Sequence, residues 1–205
     1  MDLLAQLGLG LMIGFTGAAI PGPLMTFVVA NGLSGRGRFN GIFSATGHCI
    51  VEAVIIAVIL LGFLTVLDAA PIRLLNVIGG ASLILFGAVP ILGRGAESKV
   101  GLDGKENALL SGAILSIFNG TVLLWWATVG LQQLGFAMRS VGWIGAVFWI
   151  IGHWSADLSW YGLMGYYSFK GRILFTKTNL RRIELGSSTA MILIGILFTL
   201  LSIFA

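Results

Sequence analysis

The sequence predicts an all-α membrane protein: six transmembrane helices arranged as two inverted three-helix repeats. Composition is the first reason. Of 205 residues, 57% are hydrophobic and 10% charged, with mean hydropathy +0.99, whereas soluble domains average about 25% charged. The second reason is length. A bilayer-spanning helix needs about 20 apolar residues, and six runs satisfy this: 3–30, 39–67, 72–92, 108–131, 141–167 and 183–204. The third is a recurring pattern of ionisable residues inside those runs. His48 and Glu52 stand four apart after Gly47, and His153 and Asp157 stand four apart after Gly152.

Each run has a reading of its own. The first carries Ile20-Pro21-Gly22-Pro23; proline removes a backbone donor and clashes with the preceding turn, so Pro21, Gly22 and Pro23 predict a broken helix. Freed carbonyls at bilayer depth survive only inside protein or beside a water-filled cavity. The second run holds the first His/acid pair, and the third opens at Pro71, a favoured helix start. Asn119-Gly120 interrupts the fourth and marks a second candidate break lining a central cavity. Trp125-Trp126 follow, a pair read as interfacial belt or packing. The fifth run holds the second His/acid pair. The sixth follows a basic cluster whose simplest role is to set topology, with binding of anionic membrane lipid as a further role. A β-barrel would need short alternating strands, which these long runs are not.

Glycine, 30 of 205 residues, is about twice as frequent as usual, which suits close helix packing in lipid. The net charge of +4 does not point to nucleic acid, because the basic residues sit in short loops between apolar runs. The single cysteine, Cys49, excludes an internal disulfide. The beginning, Met1-Asp2-Leu3, lacks the basic region of a signal peptide and reads as a retained first helix. Ten of the twelve lysines and arginines fall in the first, third and fifth loops; only Arg73 and Arg139 fall in the second and fourth. The basic loops are expected on the cytoplasmic side, which puts both termini outside the cytoplasmic membrane of a prokaryote.

The halves align. Gly22 meets Gly120, Gly47-His48 and Glu52 meet Gly152-His153 and Asp157, and Gly87 meets Gly195, with only loop-length differences between offsets. Three spans per half is an odd number, so the second half enters the membrane inverted. The units are 1–92 (first repeat), 93–107 (a cytoplasmic linker with six charges) and 108–205 (second repeat).

These residues resemble the lysine exporter (LysE) family, which includes homoserine/threonine-efflux-like proteins. The marks are Pro21-Gly22-Pro23, the glycines 32, 35, 41 and 47, Ser116-x-x-Asn119 and Asp157-x-x-Trp160-Tyr161. The resemblance implies a six-helix exporter of amino acids or related metabolites, driven by an ion gradient and dimeric as a homodimer. Family members place Asn-Pro-(Lys) in helix four; here Asn119-Gly120-Thr121 lacks both the proline and the basic residue.

The expected chemistry is proton antiport with alternating access. A charged group at mid-bilayer costs at least ~2.5–3.5 kcal/mol, so the two pairs need a purpose, and an imidazole beside a carboxylate can share a proton with it. Glu52, Asp157, His48 and His153 are the candidates for substrate and proton coupling. A substrate ammonium would displace a proton from a carboxylate, and its carboxylate would meet the half-helix end near Gly22 and Pro23. No cofactor is expected. The main alternative is a divalent-cation transporter with the same four residues as metal ligands. The plainer reading of each pair is a satisfied polar bridge that fixes helix register; an intramembrane enzyme lacks any supporting motif, and a non-transporting membrane scaffold is the remaining alternative.

Overall fold

The computed structural model describes residues 2–19, 22–35, 37–66, 108–171 and 177–204, with scattered helical positions between 77 and 92. Pro21, the linker 93–107 and most of the third run lie outside the described residues. Among the described residues the secondary structure is helical: α1 (Leu3–Ala18), α2 (Pro23–Leu33), α3 (Asn40–Val66), α4 (Ala108–Ile117), α5 (Gly120–Trp125), a π-helical turn (Trp126–Gly130), α6 (Leu131–Val141), α7 (Trp143–Phe169) and α8 (Lys177–Phe204).

Local sequence explains the boundaries. The Asp2 carboxylate accepts from the Ala5 N–H at 2.8 Å and caps α1. Pro23 occupies the first turn of α2, where its missing N–H costs nothing. The first run is therefore two helices, and they meet at 75°. The fourth run is also divided, with Ile117 ending α4 and Gly120 opening α5, and it continues to Val141 rather than ending at 131. Gly142, at φ 77°, both closes α6 and precedes α7, a conformation that favours glycine.

The expectation of six long apolar spans is only partly met. Among the described residues, Asn40–Gly62 is long and apolar enough to cross a membrane, and α1 with α2 is a second such span if the bent pair counts as one. α7 has the length, but His153, Ser155, Asp157 and its tryptophans lower its hydropathy. α8 begins four residues before its first arginines, so only Ser188–Leu197 stands out as apolar.

Polarity is distributed in reverse of a soluble protein. Gln6, Ser44, His48, Glu52, His153 and Asp157 are buried, while Val54, Val58 and Leu61 of α3 and Leu193 and Leu197 of α8 are exposed. Lipid can cover such an apolar exterior without cost, and the polar groups must satisfy one another inside.

Glycine contacts define the packing. A methyl group on Gly10 of α1 would overlap the Trp149 carbonyl oxygen, and one on Gly152 of α7 would overlap that of Leu7. The same contacts recur between α4 and α3: Gly112 against the Ser44 carbonyl, Gly47 against that of Leu109. Gly10 and Gly112, like Leu7 and Leu109, are 102 residues apart; Ser44 and Trp149, like Gly47 and Gly152, are 105 apart. In the third pair of segments Gly87 abuts the Ser188 carbonyl and Gly195 abuts that of Gly80, both spacings being 108.

These contacts also give directions. Gly10 and Gly14 meet successively later residues of α7, so α1 and α7 run parallel, as do α3 and α4. Gly41 lies on Tyr161 and Gly165 on Asn40, so α3 and α7 are antiparallel. The starts of α3 and α4 and the end of α7 therefore share one end of the molecule. Arg38, just before α3, and Lys170, just after α7, lie at that end.

The seams predict a contrast. Alanine at Gly10, Gly47, Gly112 or Gly152 must push backbone apart, and overpacking of this kind costs ~1–3 kcal/mol. Thermal unfolding in detergent is expected to fall by several degrees for each. Gly8, with nothing within 4 Å of its added methyl, is the control: G8A leaves the midpoint unchanged or raises it.

Candidate functional site

α3 and α7 each present a stripe at helical spacing: Ser44, His48 and Glu52 on one, Trp149, His153 and Asp157 on the other. Residues four apart stack on one face. Where the antiparallel helices cross, the two stripes meet. His48, Glu52, His153 and Asp157 come together there with exposures between 2% and 6%, so the cluster is sealed in this conformation.

Glu52 Oε1 is its centre. His48 Nε2 lies 3.2 Å from it and His153 Nε2 3.3 Å. The Trp126 indole N–H donates to the same oxygen at 2.8 Å. Asp157 Oδ2 stands 3.4 Å from His153 Nε2. Because an indole only donates, Oε1 is an acceptor, and each imidazole is attractive there when its Nε2 carries hydrogen.

Outer partners hold the rings. His48 Nδ1 is 2.7 Å from Ser116 Oγ, which donates to the Gly112 carbonyl at 2.7 Å. The His48 ring also meets Tyr161 edge-on. His153 is sandwiched between Trp149 and Trp125, with centroids 5.3 and 4.9 Å away and planes inclined by 10° and 26°. Trp126 closes the box edge-on at 5.2 Å. Such a box attracts a cationic ring through its π faces.

Trp125 and Trp126 thus belong to the site; of the two readings, interfacial belt or packing, burial favours packing, since both are buried and Trp126 completely. The π-helical turn begins at Trp126, where the Leu131 N–H bonds back to its carbonyl, and π turns are frequent at functional sites. Gly130 makes room for the indole, since a methyl there would overlap Trp126 Cε3.

Sequence reasoning missed the roles of Trp126, Ser116 and Trp149. Only Trp149 left a signal, one turn before His153 on the same stripe. Of the proposed helix breaks, Gly22 precedes α2 in an extended conformation and Pro23 opens it. Asn119, half-buried, bridges the break with its backbone: its N–H donates to the Ser116 carbonyl and its carbonyl accepts from Val122. Gly120 starts α5. Cys49, next to His48, is a free, partly buried thiol. His48, Glu52 and Asp157 each offer an atom within 4.8 Å of the others, a grouping also open to a cation.

Residues 15–202 match the family model described as LysE type translocator. No curated protein and no solved structure gives a match.

The indole contact predicts a measurable coupling. Losing a hydrogen bond to a charged acceptor costs ~1.5–3 kcal/mol, so W126F is expected to lower thermal stability by that amount. In a double-mutant cycle with E52Q, the combined loss should fall short of the sum by at least ~1 kcal/mol. Additive losses would disconnect Trp126 from the carboxylate.

Proposed function

The chain belongs to the LysE type translocator family, a membrane transport family, and from that premise we propose a secondary active exporter of an amino acid or related small metabolite, coupled to protons. The observation that carries this reading is the oxygen of Glu52 held by three nitrogens at 2.8–3.3 Å in a sealed interior. A carboxylate so placed is stable only while it has partners. Substrate ammonium, imidazole and proton can each fill that role, and only in exchange for one another. Competition of this kind is sufficient for antiport.

The substrate carboxylate is assigned to the start of α2, where the backbone after Gly22 presents N–H groups that lack intrahelical acceptors. Alternating access is assigned to two inverted repeats, 1–92 and 108–205. The recurring glycine contacts support this, since equivalent helices α3 and α7 run antiparallel and exchange the same neighbours at constant spacing. The end that holds Arg38 and Lys170 is taken as cytoplasmic.

The test is flux in liposomes under an imposed pH gradient, preceded by a thermal-shift screen of amino acids, polyamines, Zn²⁺ and Mn²⁺. A ligand of the folded form raises the melting point by mass action. E52Q and D157N are expected to abolish pH-driven exchange while remaining folded. Undiminished exchange in both ends the proposal, and stabilisation by Zn²⁺ or Mn²⁺ that amino acids do not oppose transfers the site to a cation cargo.

A further inference from the structure

The two imidazoles occupy matching places but are not treated alike. By the spacing of 102 that relates Gly10 to Gly112, the counterpart of Ser116 is Gly14. Ser116 Oγ lies 2.7 Å from both the Gly112 carbonyl oxygen and His48 Nδ1. A carbonyl can only accept, so the hydroxyl's one hydrogen goes to Gly112, and the hydroxyl oxygen accepts from His48 Nδ1–H. His48 therefore keeps a hydrogen on Nδ1, and because Nε2 stands 3.2 Å from the accepting Glu52 Oε1 it carries the second hydrogen, which makes the ring the imidazolium.

On the other side Gly14 has no hydroxyl to offer. It packs so closely that an added Cβ would stand 3.0 Å from His153 Nδ1 and 2.9 Å from the Ala156 Cβ. His153 is 3% exposed, and its Nδ1 has no hydrogen-bond partner among the described residues. Two indole faces hold the ring's plane, which restrains its tilt and leaves its edge uncommitted. Nε2 faces both carboxylates, Glu52 at 3.3 Å and Asp157 at 3.4 Å.

We propose that Ser116 is a positioning residue that pins the Nδ1–H of a cationic His48, whose Nε2–H is a fixed support for Glu52, while His153 is the imidazole that changes tautomer during transport. A proton received at Nε2 of the Nδ1–H ring from the Glu52–Asp157 side gives the cation, and water admitted when the α1–α7 seam parts takes the hydrogen on Nδ1. The ring ends neutral, with its hydrogen on the other nitrogen. This division of labour rests on the proton-coupled reading above. It assigns the α1–α7 seam, not the α3–α4 seam, as the proton's way out.

The chain has only two histidines, so ¹⁵N-imidazole labelling yields two rings, assigned with H48Q and H153Q. At one fixed pH the wild-type protein should show a persistent Nδ1–H correlation for His48 and an exchange-averaged one for His153. S116A should speed exchange of the His48 Nδ1 hydrogen about tenfold, the effect of one ordinary hydrogen bond, and leave His153 unchanged. S116T, which keeps a hydroxyl, should restore protection. Identical behaviour of the two rings in the wild type overturns the proposal even if S116A does not fold, and so does an S116A variant whose His48 is unaffected. Liposome flux tests the coupling reading separately, so the two can fail independently.

Discussion

Three nitrogens from three segments, His48 on α3, Trp126 on the π turn and His153 on α7, lie within 3.3 Å of one carboxylate oxygen. Leaving a buried charge without its ionic partner costs ~3–5 kcal/mol, and losing one hydrogen bond to it ~1.5–3 kcal/mol. Hence the sealed state exists only if α3, α7 and the π turn hold a common geometry. Trp126 reaches Glu52 from a helix that is neither α3 nor α7, so the carboxylate ties the fourth run to the crossing of the second and fifth. The polar centre in this way specifies which helices meet, a role that apolar lipid-facing surfaces cannot perform.

Glycine makes that meeting possible. Lipid competes with side chains for apolar contact, so helices associate through close backbone approach rather than through hydrophobic burial. α1 rides on α7 at Gly10, Gly14 and Gly152, and α4 on α3 at Gly47 and Gly112. Each seam flanks one imidazole: Gly47 adjoins His48, and Gly152 adjoins His153. The position of either ring is therefore set by how closely two backbones approach, and a seam that parts must release the ring beside it. Packing and chemistry are joined at these points, which makes the seams natural places for motion linked to proton or substrate exchange.

Much of this was legible from residue spacing. The four-residue intervals from His48 to Glu52 and from His153 to Asp157 placed each pair on one face, and the Pro-Gly-Pro break located the end of α1. Other features had no local signal. Trp126 and Ser116 act across 74 and 68 residues, and nothing near them in the chain announces a partner. Two adjacent tryptophans in an apolar run fit an interfacial belt equally well until tertiary contacts decide. The apolar runs also misled at their edges, because polar residues that belong inside a helical bundle look like loops. α6 keeps Gln132 and Gln133 buried, and the fourth run accordingly extends ten residues beyond its apolar limit.

The asymmetry between the halves bears on how such a protein can work at all. Two identical seams around one carboxylate would open with equal ease, and a proton could pass either way without substrate. A hydroxyl on one side and a bare glycine on the other break that equivalence at the level of a single hydrogen bond, worth ~0.5–1.5 kcal/mol. Populations shift about tenfold for each 1.4 kcal/mol, so a difference of this size biases the choice of seam without forbidding either. The aromatic box adds to the bias, since among the described residues Trp125, Trp126 and Trp149 surround His153 while His48 meets the edge of Tyr161. On the proposed reading His48 is a fixed support and His153 a moving part, although each stands four residues before a carboxylate at the same helix crossing.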